Sequence, residues 1–258
     1  MTVGFAGTAR FRVIRPLGVG GMGAVYEAFD REQRTRIALK TLLHLTPHAI
    51  ERFKREFRAL QGVQHPNLVT LGELFEDGGR WFFTMELIEG GDLLAWVRPS
   101  GVLDIARLHA ALGQLAGALH AIHGAGKVHR DVKPSNVKVT PGGRVTLLDF
   151  GLARDTDGDA LLSGDQVVGT AAYMAPEQAV SGQVGPEADW YAFGIVLHEA
   201  LTGRLPFTGP PLQIMLDKQR REPAPPAGDD VPADLAALTA ALLRFDRTAR
   251  PGGAAILE

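Results

Sequence analysis

The 258-residue sequence contains no cysteine, which excludes disulfide bonds, thiolate metal ligands and cysteine nucleophiles. We therefore expect a reducing cytoplasm as its compartment. The sequence also lacks a long apolar run. Its two most apolar windows, LGQLAGALHAIHG and WYAFGIVLHEALTG, are too short and too interrupted by His or Glu to span a bilayer. The opening residues, MTVGFAGTAR, lack the basic start and apolar stretch of a signal peptide.

Neither sign of charge is in excess, because 27 Lys and Arg residues nearly balance 29 Asp and Glu residues. This balance favours neither a nucleic-acid nor a membrane-surface partner, so partners have to be inferred from a site. With 45% hydrophobic residues, the length predicts one domain with two lobes or two small domains. We also expect a fragment of a longer protein, because RPGGAAILE starts a helix-like segment and stops.

The apolar pattern predicts an α+β fold. FRVIRPLG, AVYEAF and RIALKTL are short, rich in β-branched and aromatic residues, and separated by turns, which indicates an antiparallel sheet. HAIERFKREFRAL has the period of an amphipathic helix, and the turn EDGG separates two further strands. From Asp104 onward helices dominate. They include an apolar stripe from Ile105 to Ile122, a helix capped by Gly203 and a last helix from about Ala233 to Leu243.

Three glycines, Gly18, Gly20 and Gly23, have G-x-G-x-x-G spacing in LGVGGMGAV. The same spacing occurs in dinucleotide-binding folds and in ordinary Gly-rich turns, so alone it is a weak signal. Here the glycines lie between two predicted strands rather than before a helix. This favours a hairpin over phosphate groups, in which missing side chains let backbone N–H groups come close. No Gly-Lys-Ser/Thr follows, which argues against a Walker-type loop.

Lys40 ends the apolar run RIALK, where a lysine is most often a solvated surface charge. Glu56 changes that interpretation. It lies in the following predicted helix between Phe53 and Phe57, so it can face inward toward Lys40. A lysine held by a glutamate beneath a phosphate-binding hairpin is a positioned cation for phosphate oxygens.

The stretch HRDVKPSN places Asp131, Lys133 and Asn136 on one loop, and Asp149 closes the next strand in LLDFG. Any one of these acidic residues could simply cap a turn. Together they are what phosphoryl transfer requires. Asn136 and Asp149 offer oxygen ligands for Mg²⁺, Asp131 offers a base that orients the attacking hydroxyl, and Lys133 offers charge to the moving phosphoryl group.

GVGGMGAV, IALK, HRDVKPSN, DFG and MAPE match, in order, the signature elements of protein kinases. The sequence resembles most closely the bacterial kinases of the eukaryotic Ser/Thr type, from about Phe11 to Pro251. The resemblance implies a two-lobed catalytic domain over 11–258. Its N-lobe, about 11–86, is an antiparallel sheet with one helix, and its C-lobe, about 89–258, is mainly helical. It further implies transfer of the γ-phosphoryl group of ATP, with Mg²⁺ or Mn²⁺, to Ser or Thr of proteins, including autophosphorylation. Lys133 is the family's mark of Ser/Thr specificity.

The resemblance also assigns roles. It makes Asp131, Lys133, Lys40 and Glu56 catalytic residues, and Asn136 and Asp149 metal ligands. It places Met85 at the gatekeeper position. The implied nucleotide contacts are Gly18, Gly20, Gly23, Val25, Ala38, Lys40, Glu86, Ile88, Asp92 and Lys138.

Three structural contacts are expected from the resemblance as well. Thr170 should hydrogen-bond the loop that carries Asp131. Glu177 should pair with Arg250, and Asp189 should brace the same loop from below.

Lys138 departs from the family pattern, which has an apolar residue at this position as the floor of the adenine pocket. An ammonium under a purine costs desolvation unless its stem packs and its head reaches water. In the alternative interpretation, Val137 and Val139 face inward and Lys138 is harmless.

Regulation is expected in the segment between Asp149 and Glu177. In the family, the positions of Arg52, Arg130 and Arg154 form a basic pocket for one phosphate. We predict Ser163 as its carrier, rather than Thr156 or the structurally assigned Thr170. The carboxylate of Asp165 could fill the pocket instead.

Two other functions compete with a protein kinase. A pseudokinase, which would act as a scaffolding or nucleotide-binding module, should lack Lys40, Asp131 or Asp149, and all three are present. Small-molecule phosphotransferases of similar fold usually lack the APE element and its arginine partner, which serve protein-substrate docking.

Overall fold

The computed structural model describes residues 5–20, 23–42, 46–149, 170–179, 184–228 and 230–258. These residues form two compact units. The first contains the described residues up to 64 together with 69–88. The second contains 65–68, 89–149 and the described residues from 170 onward.

The first unit is a five-stranded antiparallel sheet with one helix. Its strands are β1 (Phe11–Gly20), β2 (Gly23–Asp30), β3 (Thr35–Thr41), β4 (Leu71–Asp77) and β5 (Arg80–Met85), in the spatial order β1-β2-β3-β5-β4. The predicted EDGG turn joins β4 to β5 through Gly78 and Gly79, which both have positive φ as a tight hairpin requires. One face of the sheet buries an apolar cluster that includes Phe11, Leu39 and Phe82.

The helix of this unit is α1 (Pro47–Gln61). It begins where the Thr46 hydroxyl accepts a hydrogen bond from Ala49 N, as an N-cap residue does. Its buried face carries Phe53 and Phe57, whose rings both lie within 6.0 Å of the Phe83 ring on β5. Since Phe82 lies in the cluster described above and successive side chains of a strand alternate, α1 covers the opposite face of the sheet.

The second unit is mainly helical. Its helices are α2 (Leu93–Val97), α3 (Ile105–Gly124), α4 (Pro186–Thr202), α5 (Pro211–Arg220), α6 (Ala233–Leu242) and α7 (Gly253–Leu257). A small antiparallel sheet of β6 (Gly91–Asp92), β7 (Val137–Val139) and β8 (Val145–Leu147) lies among them. The predicted α+β class, with an N-terminal antiparallel sheet and a helical second part, is confirmed.

Helix α4 is the central helix of this unit, because every residue from Ala188 to His198 is buried. It ends at Gly203, whose left-handed conformation, with a φ of 71°, closes the last turn as predicted. Arg98 donates to the carbonyls of Ala200 and Leu201 and so satisfies two carbonyls at that end.

The predicted strand that Asp149 closes in LLDFG is too long. β8 ends at Leu147, because Leu148 N turns to donate to Asn136 O at 2.7 Å and Asp149 adopts a φ of 50°. Helix α5 is absent from the prediction because its ten residues present only two buried side chains, Ile214 and Lys218. In the described part of the chain, no helix is both long enough and apolar enough to cross a membrane.

Candidate active site

The loop 129–136 is held by one buried carboxylate. Asp189 is 1% exposed and accepts hydrogen bonds from His129 N and Arg130 N, each at 2.7 Å. His123 Nε2 lies 2.8 Å from the same carboxylate. Arg130 has a φ of 66°, a conformation that non-glycine residues adopt rarely. The expected bracing contact of Asp189 is therefore present, and it fixes the backbone directly before Asp131.

His129 connects this loop to the end of β8. Its Nδ1 accepts from Asp131 N at 3.3 Å, and its Nε2 donates to Leu148 O at 2.8 Å. The ring thus carries a proton on Nε2. Because the ring bonds to the N–H of Asp131 and to the carbonyl of Leu148, it fixes the distance between Asp131 and the residue before Asp149.

The side chains of Asp131, Lys133, Asn136 and Thr170 form one hydrogen-bonded group. Lys133 Nζ lies 3.0 Å from the Asp131 carboxylate and donates to Thr170 Oγ1 at 3.2 Å. Asn136 Nδ2 donates to the Asp131 carboxylate at 3.0 Å and to Asp131 O at 2.8 Å. The predicted hydrogen bond between Thr170 and the loop is thus made by Lys133. The group aligns a carboxylate and an ammonium at one point of the second unit.

The two predicted metal ligands lie at the same end of the β7-β8 pair. Leu148 N donates to Asn136 O, which places the residue before Asp149 against Asn136. Because the Asn136 amide nitrogen donates to Asp131, its amide oxygen is the atom that can bind a cation. One carboxylate and one amide oxygen fit Mg²⁺, which usually takes few protein ligands and completes its shell with water and phosphate oxygens.

Asp92 and Lys138 are directly opposite each other on β6 and β7, and Thr146 on β8 is directly opposite Lys138. These three side chains therefore share one face of the small sheet. Val137 and Val139 are 0% and 1% exposed, so the valines face the core and Lys138 faces the other way. The Asp92 carboxylate caps α2 by accepting from Leu94 N at 2.8 Å. The nucleotide contacts of Asp92 and Lys138 stay predictions.

In the first unit, the predicted nucleotide contacts share one face of the sheet. Val25 is directly opposite Lys40, and Ala38 is directly opposite Met85. Directly opposite residues lie on the same face, as do residues two apart on one strand. Lys40 is also opposite Phe83, which packs against α1 next to Glu56. Lys40 and the helix that carries Glu56 are thus on the same side of the sheet, and their ion pair stays a prediction.

The three glycines of the predicted phosphate-binding hairpin differ in the space that a side chain would have. A Cβ on Gly23, whose φ is 144°, would overlap the carbonyl oxygen of Thr41, so packing alone requires glycine there. A Cβ on Gly18 would meet nothing within 4 Å. The absence of a side chain at Gly18 leaves space beside the strand, as a phosphate-binding hairpin requires. Gly20 is directly opposite Gly23 at the end of β1, next to the turn.

Glu86 and Ile88 follow β5 in a segment without regular secondary structure. Glu86 N donates to Thr70 O at 2.9 Å, so this N–H is already bonded. The nucleotide contacts of Glu86 and Ile88 stay predictions.

Of the predicted regulatory residues, Arg154 and Ser163 lie outside the described residues, as do Thr156 and Asp165. Arg52 is on α1, and its buried Nη2 has no hydrogen-bond partner among the described residues. The expected pair of Glu177 and Arg250 is confirmed, with two contacts at 2.6 and 2.9 Å and an arginine side chain that is 0% exposed.

The sequence pattern gave no indication of Lys218. In DKQRR it has the appearance of a helix surface charge, yet it is 1% exposed. Only a register that places Ile214 and Lys218 on the same face of α5 could have identified it.

Comparison with known proteins gives a consistent result. The sequence model of the protein kinase domain family matches residues 11–258. The chain is 36% identical over 241 residues to serine/threonine-protein kinase PknA of Mycobacterium tuberculosis, covering 90% of this chain and 56% of that protein. It is 40% identical over 259 residues to serine/threonine-protein kinase pkn2 of Myxococcus xanthus, covering 95% and 31%. It thus spans about half the length of PknA and about a third of pkn2.

Proposed function

The chain belongs to the protein kinase domain family, and from this premise we propose that it transfers the γ-phosphoryl group of ATP to Ser or Thr hydroxyls of proteins, itself included. We propose residues 11–258 as the catalytic domain. The observation that carries the proposal is the bonded group of Asp131, Lys133, Asn136 and Thr170 on a loop fixed by Asp189.

In this proposal Asp131 acts on the acceptor. Its carboxylate accepts the hydrogen bond of the Ser or Thr hydroxyl and takes the proton as the oxygen attacks the γ-phosphorus. The bond from that phosphorus to the bridging oxygen breaks, and ADP leaves. Lys133, 3.0 Å from Asp131, supplies positive charge where negative charge moves during the transfer.

The nucleotide is the second part of the proposal. Kinases of this family use ATP and a divalent metal ion in general. We assign Mg²⁺ to Asn136 and Asp149 because their oxygens fit it, with Mn²⁺ as a substitute. The bound ion would neutralise phosphate charge. Lys40 would bind phosphate oxygens from the face it shares with Val25 and Ala38, and the Gly18 side of the hairpin would cover them.

Proteins are the proposed substrates. The Glu177–Arg250 pair belongs to the element that small-molecule phosphotransferases usually lack. A pseudokinase gains no support, because Lys40, Asp131 and Asp149 are all present and the relatives carry the names of kinases. The expected cytoplasmic location and the absence of a nucleic-acid partner stay predictions.

The test is phosphoryl transfer from labelled ATP to a generic basic protein, with Mg²⁺, with Mn²⁺ and with a chelator. Asp131→Asn should reduce turnover by about 10²–10⁴-fold, the usual contribution of such a base, while ATP binding measured by titration persists. Asp234→Asn, an exposed aspartate of α6, is the matched control and should act like the wild type.

The outcomes separate the parts of the proposal. No transfer by the wild-type chain under any metal condition contradicts the kinase function. Transfer by the wild type with near-normal turnover of Asp131→Asn contradicts only the role of Asp131.

A further inference from the structure

Lys218 is a buried lysine whose ammonium contacts backbone carbonyl groups. Its ammonium donates to three carbonyl oxygens, those of Ala171 at 3.0 Å, Ala172 at 2.6 Å and Met174 at 2.7 Å. The rings of Tyr191 and Phe207 lie 5.4 and 5.8 Å from Nζ. The lysine therefore bonds one short segment from within an aromatic pocket of the second unit.

The charged form of Lys218 is the one that fits this geometry. Burial lowers the pKa of Lys218 to about 7. Three carbonyl acceptors oppose that effect, because an ammonium has a hydrogen for each of them and a neutral amine has only two. A buried charge of this kind contributes little net stability compared with an apolar side chain of similar size. The Lys218 ammonium instead fixes the positions of the three carbonyl groups to which it donates.

The segment that Lys218 holds depends on α5 for its hydrogen bonds. Residues 171–176 lie in no strand. Ala175 O accepts from Gln178 N at 3.0 Å, and the other carbonyls need donors from elsewhere. Lys218 supplies three of them, and Gln219, the next residue of α5, donates to Pro176 O at 2.6 Å. The side chain of Tyr173 is fixed separately, since it donates to Glu199 on α4 at 2.5 Å.

The same segment begins at the candidate catalytic group. Thr170 accepts from Lys133, which contacts Asp131. At its other end, Gln178 accepts from Ala175 N and donates to Arg130 O at 3.4 Å. Residues 171–174 therefore lie between two contacts to the loop that carries Asp131.

We infer that Lys218 is a positioning residue for the protein substrate, and that it sets the path of residues 171–174 against which the acceptor peptide docks. The inference rests on the proposed kinase function. Lys218 acts through the backbone of this segment and not on the nucleotide, so its loss should impair transfer to a peptide more than transfer to water.

The first test compares two reactions of the full chain. Lys218→Met keeps the length of the side chain and removes every donor, whereas Lys218→Gln keeps two N–H groups. In Lys218→Met, kcat/KM for a Ser-containing basic peptide should fall by about tenfold more than kcat/KM for ATP hydrolysis without peptide, because bonds to a charged donor are lost. Lys218→Gln should recover part of the loss. Arg220→Met, exposed on the same helix, is the control.

Equal losses in both reactions would reduce Lys218 to a structural residue and overturn the inference. A second measurement does not require activity. Amide hydrogen exchange should become faster in residues 171–178 of Lys218→Met, or of Lys218→Gln if the first variant does not fold, with α3 unchanged. Unchanged exchange in 171–178 also contradicts the inference. A wild-type chain that transfers no phosphate while the exchange result holds contradicts the proposed function alone.

Discussion

Asp189 shows how one side chain can organise a site that it does not enter. Its oxygens accept from the two successive N–H groups of His129 and Arg130, and such charge-assisted bonds are stronger than neutral ones. Arg130 is held at a φ of 66°, a conformation that costs energy and persists only where its surroundings enforce it. The buried carboxylate therefore maintains a strained turn whose next residue is Asp131.

A second residue-scale consequence concerns Lys138. Its neighbours across the small sheet are Asp92 and Thr146, and the hydroxyl of Thr146 is buried without a hydrogen-bond partner among the described residues. If this face lies under adenine, Lys138→Leu should tighten ATP binding by about tenfold, since it removes the desolvation of a polar group at similar length. Isothermal titration with ATP measures the change.

Lys127→Leu, three residues after the end of α3, controls for a general effect of replacing a lysine by leucine. Unchanged ATP affinity in Lys138→Leu would mean that the ammonium reaches water and that the departure from the family pattern is harmless.

At the scale of elements, local chemistry predicted the sheet hairpins and the long helices. Gly78, Gly79 and Gly203 adopt the positive φ values that their turns need, so the sequence could indicate where β4 ends, where β5 begins and where α4 ends. It could not indicate that β8 stops at Leu147, because that end depends on the bond of Leu148 to the distant Asn136. Helix α5 was not predicted either, because only two of its side chains are buried and one of them is a lysine. Its buried lysine is satisfied by carbonyls more than 40 residues away.

In the candidate site, too, local sequence indicated some features and not others. The residue types of HRDVKPSN and LLDFG indicated the chemistry, because each carries a group that phosphoryl transfer uses. The hydrogen bond that places Lys133 between Asp131 and Thr170 spans 37 residues, so no local pattern contains it. The resemblance to a family, rather than periodicity, predicted that contact.

The end of β2 offers an element-scale test of acid stability. Asp30, 2% exposed, pairs with Arg10 at 2.8 Å and also accepts from Glu32 N and Gln33 N. The bond to Arg10 holds the pKa of Asp30 below its ordinary value of 3.8. A carboxylate with a lowered folded-state pKa stabilises the fold above pH 3.8, and this contribution is lost as the pH falls further.

Asp30→Asn should therefore reduce the free energy of unfolding at pH 7 by about 2 kcal/mol, because Arg10 loses its buried partner and keeps only the exposed carboxylates of Glu32 and Glu73. Urea denaturation of both proteins should give a constant difference from pH 7 to pH 5, which then shrinks below the ordinary pKa of the carboxyl group. Asp77→Asn, an exposed aspartate of β4, is the control. Equal stabilities at pH 7, or a difference that grows toward acid, would contradict the prediction.

For the whole molecule, a formal net charge of −2 is compatible with a local gathering of positive charge. Arg52, Arg130 and Arg154 are the residues predicted to gather around one phosphate. Guanidinium groups at ~7 Å repel by about 2 kcal/mol per pair at an effective dielectric constant of ~20. A set of three is therefore unfavourable without an anion. The buried Nη2 of Arg52, which has no hydrogen-bond partner among the described residues, is a donor that an anion could satisfy.

We predict that activity depends on phosphorylation of Ser163. A phosphate brings about −1.5 to −2 charges and can order a segment by binding arginines. After incubation with ATP, mass spectrometry should find phosphate on Ser163 in the wild type and not in Asp131→Asn. Ser163→Ala should lower activity by about tenfold or more, the size of one or two charge-assisted hydrogen bonds. Thr156→Ala is the control and should remain active.

A double-mutant cycle with Arg52 tests whether the phosphate acts through the predicted arginines. If it does, Arg52→Gln should reduce the activity of the wild type and have little further effect in Ser163→Ala, because both changes remove the same interaction. Additive losses of activity would mean that Arg52 does not interact with the phosphate on Ser163. The carboxylate of Asp165 is the competing anion, since its fixed charge needs no modification. A fully active wild type with no phosphate on Ser163, combined with loss of activity in Asp165→Asn, would assign the arginines to Asp165.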